Sequence, residues 1–194
     1  MAAPPLILAS TSRYRKELLA RLGLEFTCLA PTCDEAAAKA LGLAPQELAA
    51  TLARTKAESV FARHPTAVVI GSDQVCVGAG QLLGKPGGRS EAIAQVQRLA
   101  GRTHELLTAV CVRHPGGRRE FVDTARLTMR SLTPAAIERA VDADQPFDCA
   151  GGYKLEARGI ALFARIESAD HTAIVGLPLL ALTAILADLG YPVP

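Results

Sequence analysis

Short apolar runs of strand length alternate along this chain with longer stretches of helical periodicity, and no low-complexity linker interrupts them. "LILA" (Leu6 to Ala9) reads as a buried strand. It is followed by "STSRYRKELLARLGL", in which Tyr14, Leu18 and Leu22 form a helical stripe that Gly23 can terminate. "FTCLAP" reads as a short strand leading into Asp34-Glu35, the segment from Pro45 to about His64 as a long helix carrying Lys56, and "AVVI" as a returning strand. Beyond "GKPGG", Ser90 to Leu99 reads as a helix, and "HELLTAVCVRHPGGRREFVDTARLTM" as two long strands joined at Gly116-Gly117. Thr133 as N-cap with Pro134 at the first helical position predicts a helix from Pro134 to about Ala143. "CAGGYKLEARGIALFARI" combines a glycine-rich turn with a strand, and "GLPLLALTAILADLG" closes the chain as a helix. Strands alternating with helices prescribe an α/β architecture, and the hairpin makes its sheet mixed.

Composition narrows the function classes. The formal charge of +2 comes from 21 basic and 19 acidic residues spread along the chain, so no basic block tracks a nucleic acid. Arg118-Arg119 beside "HPGG" reads as a solvated hairpin tip. The five cysteines show no zinc-type spacing and read as reduced, which suits a cytoplasmic protein. The start "MAAPPLILAS" lacks the basic region and apolar length of a signal peptide, and no run is long enough to span a membrane.

Two places concentrate chemistry. Ser10, Thr11 and Ser12 lie between a strand and a helix start, where hydroxyls and free N–H groups can meet an anion. Arg13 and Arg15 would fall in that helix's first turn, where the dipole disfavours cations, so they point to an anionic ligand or to solvated arginines. Asp73 is expected at the end of the strand "AVVIGS", where open α/β sheets present ligand residues; a turn-forming Asp is the alternative. A buried carboxylate needs a partner. Lys85, in the stiff "GKP" turn, is one candidate. "GAGQLLGKP" is no phosphate loop, because Ala79 stands at the first glycine and Pro86 replaces the hydroxyl. Asp34-Glu35 could start a helix or, with Asp73, offer oxygen ligands to a divalent metal. The four histidines stand singly, and the chain has neither a GxSxG elbow nor a GxGxxG turn.

Taken together, "LILASTSRYRKELL", "CDE", "TKAES", "IGSDQV", "GKP", "CAGGYKLEARG" and "VGLPL" resemble the Maf family of nucleoside triphosphate pyrophosphatases, from about Leu6 to Leu186. The resemblance implies one domain over residues 1–194. Its fold would be an elongated mixed β-sheet flanked by helices, with two lobes around a cleft, related to inosine triphosphatases. Ser72-Asp73-Gln74 followed by Val75 resembles the branch acting on N7-methyl-GTP. The family resemblance implies Asp73 as general base or water-positioning carboxylate, and Glu35 as its partner in holding Mg²⁺, with Mn²⁺ or Co²⁺ as alternatives. Lys56, Lys85 and Arg15 would surround the triphosphate, with Ser10 and Ser12 at the anion-binding turn. Base selection falls by resemblance to Tyr14, Gln74 and Glu156. Tyr14 could stack on the cationic methylated base, or belong to the core stripe with Leu18 and Leu22. The implied partner is a small nucleotide, with no nucleic acid, no membrane and a homodimer as the expected assembly. Other readings are a pyrophosphatase preferring UTP, CTP or dTTP, one acting on inosine or xanthosine triphosphate, and a nucleotide-binding regulator of cell division.

Overall fold

In strand β1 (Leu6–Leu8) all three residues are buried, as a strand covered on both faces requires. It pairs in parallel with β2 (Thr27–Cys28) and with β3 (Val68–Gly78), placing Leu6, Ile7 and Leu8 opposite Val68, Val69 and Ile70. The computed structural model, which describes residues 3–193, completes the sheet with β4 (Gln81–Leu83), β5 (Thr103–His114), β6 (Gly117–Met129) and β7 (Phe163–Glu167). The seven-stranded order is β2-β1-β3-β5-β6-β7, with β4 paired to β3. β3 with β4 and β6 with β7 are antiparallel. Only Pro115 and Gly116 join β5 to its neighbour β6, a link too short for anything but an antiparallel return. The sheet is therefore mixed, as the sequence predicts.

Among the described residues, seven α-helices accompany it: α1 (Arg13–Ala20), α2 (Glu35–Ala40), α3 (Pro45–Phe61), α4 (Arg89–Leu99), α5 (Pro134–Asp144), α6 (His171–Val175) and α7 (Leu179–Asp188). Ser12, Asp34, Thr133 and Asp170 cap α1, α2, α5 and α6 through their side chains. None of the described helices is long and apolar enough to cross a membrane.

One expectation changes. β3 does not stop after "AVVI" but runs to Gly78, so Asp73 lies inside the strand rather than at its end. The strand stays extended because β4 takes over as partner, with Cys76 opposite Leu83 and Gly78 opposite Gln81. Ala79 and Gly80, both at positive φ, make the two-residue turn between them. The strand that does end beside the site is β1, at Leu8.

The chain divides into two units. The first takes the chain as far as Gln74, then Thr108–Asp123, then the chain from Asp170 onward; the second comprises Val75–Leu107 and Thr124–Ala169. In the first, Leu6, Leu8, Val68, Ile70, Val110 and Val112 of the sheet pack with Leu18 and Leu19 of α1 and Leu182 and Leu186 of α7. Each such leucine, fully buried, contributes about 1.5–3 kcal/mol. Tyr14 is not part of this core and is only half-buried, so the stripe begins at Leu18. In the second unit, Ala92, Val96 and Leu99 of α4 and Ile137 and Val141 of α5 are buried.

Candidate active site

The buried face of α3 reads Leu48, Ala49, Leu52, Ala53, Lys56, Ala57, Val60, a helical stripe with a lysine in an apolar slot. Ala53 and Ala57 are small, and Gly71 of β3 has no Cβ. A Cβ at Gly71 would lie 2.3 Å from the Ala53 carbonyl oxygen and 2.6 Å from the Ala57 nitrogen. That close helix–strand approach delivers Lys56 to Asp73. The Lys56 Nζ lies 2.5 Å from Asp73 Oδ1 and 2.7 Å from Glu35 Oε1. The buried carboxylate inside β3 thus has its partner within the protein, and that partner is Lys56. Asp73 Oδ2 has no partner among the described residues.

Glu35 opens α2 immediately after its cap Asp34, whose carboxylate accepts from the Ala37 N–H at 2.9 Å. Asp34 thus takes the helix-start role, and Glu35 faces Lys56. Burial works against the Lys56 charge, but Asp73 and Glu35 outweigh it and raise the pKa above the ordinary lysine value. Lys56 is an ammonium ion across the physiological range. Burial likewise lowers the Arg15 pKa while Asp73 and Glu35 oppose the shift. Two cations thus face two carboxylates.

Arg15 reaches this place from α1. Its Nε donates to the Gly176 carbonyl at 2.9 Å, and its terminal nitrogens have no partner among the described residues. Ser10 is buried and its Oγ accepts from the Ser12 N–H at 3.1 Å, while Ser12 Oγ caps the Arg15 N–H. Arg13 engages Tyr14: its guanidinium carbon lies 4.7 Å from the Tyr14 ring centroid, and Nη2 donates to the Tyr14 hydroxyl at 2.8 Å. The Tyr14 face already receives a cation.

A group of carbonyls on α6 and just beyond it went unread in the sequence, although "VGLPL" covers Val175 and Gly176. Asp170 Oδ1 accepts from the Thr172 N–H and hydroxyl, and its Oδ2 from the Leu180 N–H at 2.8 Å, fixing α6 against the start of α7. Gly176, at φ +121°, adopts a conformation that favours glycine and exposes its carbonyl to both Arg15 and Ser72. The Ala173 and Ile174 carbonyls accept from Gln74 Nε2 at 2.9 and 3.1 Å. Gln74, Ser72 and Arg15 are all tied to this one short segment.

Lys85 and Glu156 belong to the second unit. Both are exposed, and neither pairs with a described residue. The loops that carry them are joined by buried Gln95, whose Nε2 donates to the Gly84 carbonyl at 3.0 Å and whose Oε1 accepts from the Gly151 N–H at 3.0 Å. Gly152, at φ +74°, packs so that a Cβ would come within 2.8 Å of the Ala92 carbonyl. The next residue, Tyr153, meets buried His104 at 2.7 Å, with Phe163 edge-on to its ring.

The sequence model of the Maf-like protein family matches residues 5–189. This chain belongs to the Maf-like family. It is 49% identical to a 7-methyl-GTP pyrophosphatase of Xanthomonas oryzae pv. oryzae over 191 residues, covering 98% of this chain and all of that protein. A protein of the same name from Bdellovibrio bacteriovorus is 47% identical, with 97% of this chain and 98% of its own length covered. One from Bordetella pertussis is 49% identical, with 96% and 93% covered.

The Maf-like chain offers a divalent metal oxygen ligands and little else. Among the described residues no group of three or more His, Cys, Asp or Glu could form a cage. Glu35 and Asp73 supply two carboxylates around one ammonium. Such a set fits a hard divalent cation of the kind held by one or two carboxylates together with substrate phosphates and water.

Proposed function

We propose that this chain is a nucleoside triphosphate pyrophosphatase that hydrolyses N7-methyl-GTP to N7-methyl-GMP and diphosphate, removing a modified nucleotide. The observation that carries it is the Lys56 ammonium held between Asp73 and Glu35, with Arg15 bringing free N–H donors from the start of α1. Each catalytic task has a candidate group. Asp73 Oδ2, without a partner among the described residues, orients the attacking water and takes its proton. The water oxygen bonds to the α phosphorus, the bond from that phosphorus to the bridging oxygen breaks, and diphosphate leaves. Arg15, Lys56 and Lys85 stabilise negative charge on the phosphates, and Ser10 and Ser12 line the anion-binding turn. Glu35 and Asp73 would hold Mg²⁺, which when bound neutralises phosphate charge and polarises the reacting phosphoryl group.

The base falls to Tyr14, Gln74 and Glu156. N7-methylguanine carries a delocalised positive charge, and stacking on Tyr14 would contribute about 0.5–2 kcal/mol. The Arg13 guanidinium already lies over one face of that ring, so the base would stack on the other. Glu156 would accept from the guanine N1–H and N2–H groups. In this reading residues 1–194 serve as one enzymatic domain, acting in the cytoplasm as a homodimer.

The test is diphosphate release with Mg²⁺ from N7-methyl-GTP, GTP, UTP, CTP, dTTP and ITP. The reading predicts a strong preference for the methylated nucleotide. Preference for UTP or dTTP would keep the reaction and remove the base assignment; no release from any nucleotide would overturn both.

A further inference from the structure

Thr108 lies on β5 and is wholly buried. Its hydroxyl donates to the Ala173 carbonyl at 2.9 Å, which uses its single proton. Towards Gln74, whose Nε2 is 2.9 Å away, Thr108 can therefore only accept. The same Gln74 nitrogen faces the Ala173 and Ile174 carbonyls. Three acceptors and no donor surround it, so a flipped amide would set oxygen against oxygen. Gln74 Oε1 is left as the only polar side-chain atom of this half-buried residue without a partner among the described residues.

We propose that Thr108 is a specificity-determining positioning residue. By fixing the neighbouring amide it presents Gln74 to the ligand as a hydrogen-bond acceptor and withholds its donors. The moiety selected is a nucleobase edge with more N–H hydrogens than Glu156 takes up, as guanine has with three at N1 and N2. Uracil, with a single N–H at N3, is served less well. The inference rests on the pyrophosphatase reading above and adds to it a residue that never touches substrate.

The experiment compares wild type, Thr108→Val and Thr108→Ser for kcat and KM on N7-methyl-GTP, GTP and UTP, with Tm recorded for each. Valine keeps the shape and removes the hydroxyl, while serine restores it. Thr108→Val is expected to raise KM for the guanine nucleotides and narrow their advantage over UTP by about 3- to 10-fold, one hydrogen bond's worth. Its kcat should stay near wild type, and Thr108→Ser should keep the wild-type ratio. An unchanged ratio in Thr108→Val, an equal loss of kcat on every nucleotide, or failure of serine to restore the ratio would overturn the proposal. A wild type without base preference would overturn the reading beneath it as well, and that failure is visible before any variant is compared.

Discussion

Lys56 in the first unit and His104 in the second are both nearly sealed from solvent, at 7% and 2% exposure, yet one keeps its proton and the other gives it up. Lys56 faces two carboxylates, and their field raises its pKa against burial. His104 faces the Tyr153 phenol and the Phe163 ring, and burial alone pushes its pKa down to about 4. The same desolvation acts on both. What differs is whether an opposite charge was buried alongside. A charged centre of the first kind is already suited to polyanion chemistry, whereas the second is a packing device that holds the glycine-rich turn around Tyr153.

Removing the cation breaks the contrast most severely. Lys56→Met leaves Asp73 and Glu35 without their shared counter-ion and should cost about 3 kcal/mol of stability. Turnover should fall on the order of a hundredfold or more, since a positive group beside the phosphates is lost. Denaturant unfolding and diphosphate release check the two parts, and a stable, active Lys56→Met would dissolve the distinction between the units.

The neutral centre has a pH signature. Between pH 6.5 and about 4 the unfolded chain takes up a proton at His104 that the folded chain refuses. Stability is therefore complete above pH 6.5, falls as the pH drops towards 4, and gains no further slope from this group below that. The single-group contribution amounts to about 3 kcal/mol. His104→Gln, which keeps a polar group for Tyr153 but cannot titrate in this range, should flatten the slope of unfolding free energy over that window. An unchanged slope would mean that His104 is not held neutral.

The smallest expected effect concerns how the charged centre is assembled. Gly71→Ala would press a Cβ against backbone atoms of α3 and should cost about 2–3 kcal/mol. Because the displaced helix carries Lys56, activity should fall together with Tm. A variant that loses stability but keeps full turnover would uncouple the helix–strand approach from the site.

The sequence made much of this legible. Helical patterning located α3, α4 and α7, the Thr133-Pro134 pair located α5, and the glycine pair located the long hairpin, because each of those signals is local. Asp73, Glu35, Lys56 and Arg15, singled out in the sequence, lie in one place. The role of Gly71 was hidden, since a glycine in an apolar run does not announce which backbone will approach it. The length of β3 was hidden because its continuation depends on β4, a strand of three residues. The α6 carbonyls could not be read at all: main-chain acceptors have no residue type, and only Asp170 and Gly176, which shape that segment, left a mark in the sequence.

The central claim is that Asp73, held by Lys56 inside β3, activates the water. The most direct measurement is kcat for N7-methyl-GTP in Asp73→Asn, made alongside its thermal unfolding. The account predicts a folded protein with Tm near wild type and turnover reduced about 10²- to 10⁴-fold. A folded Asp73→Asn that releases diphosphate at close to the wild-type rate would contradict it.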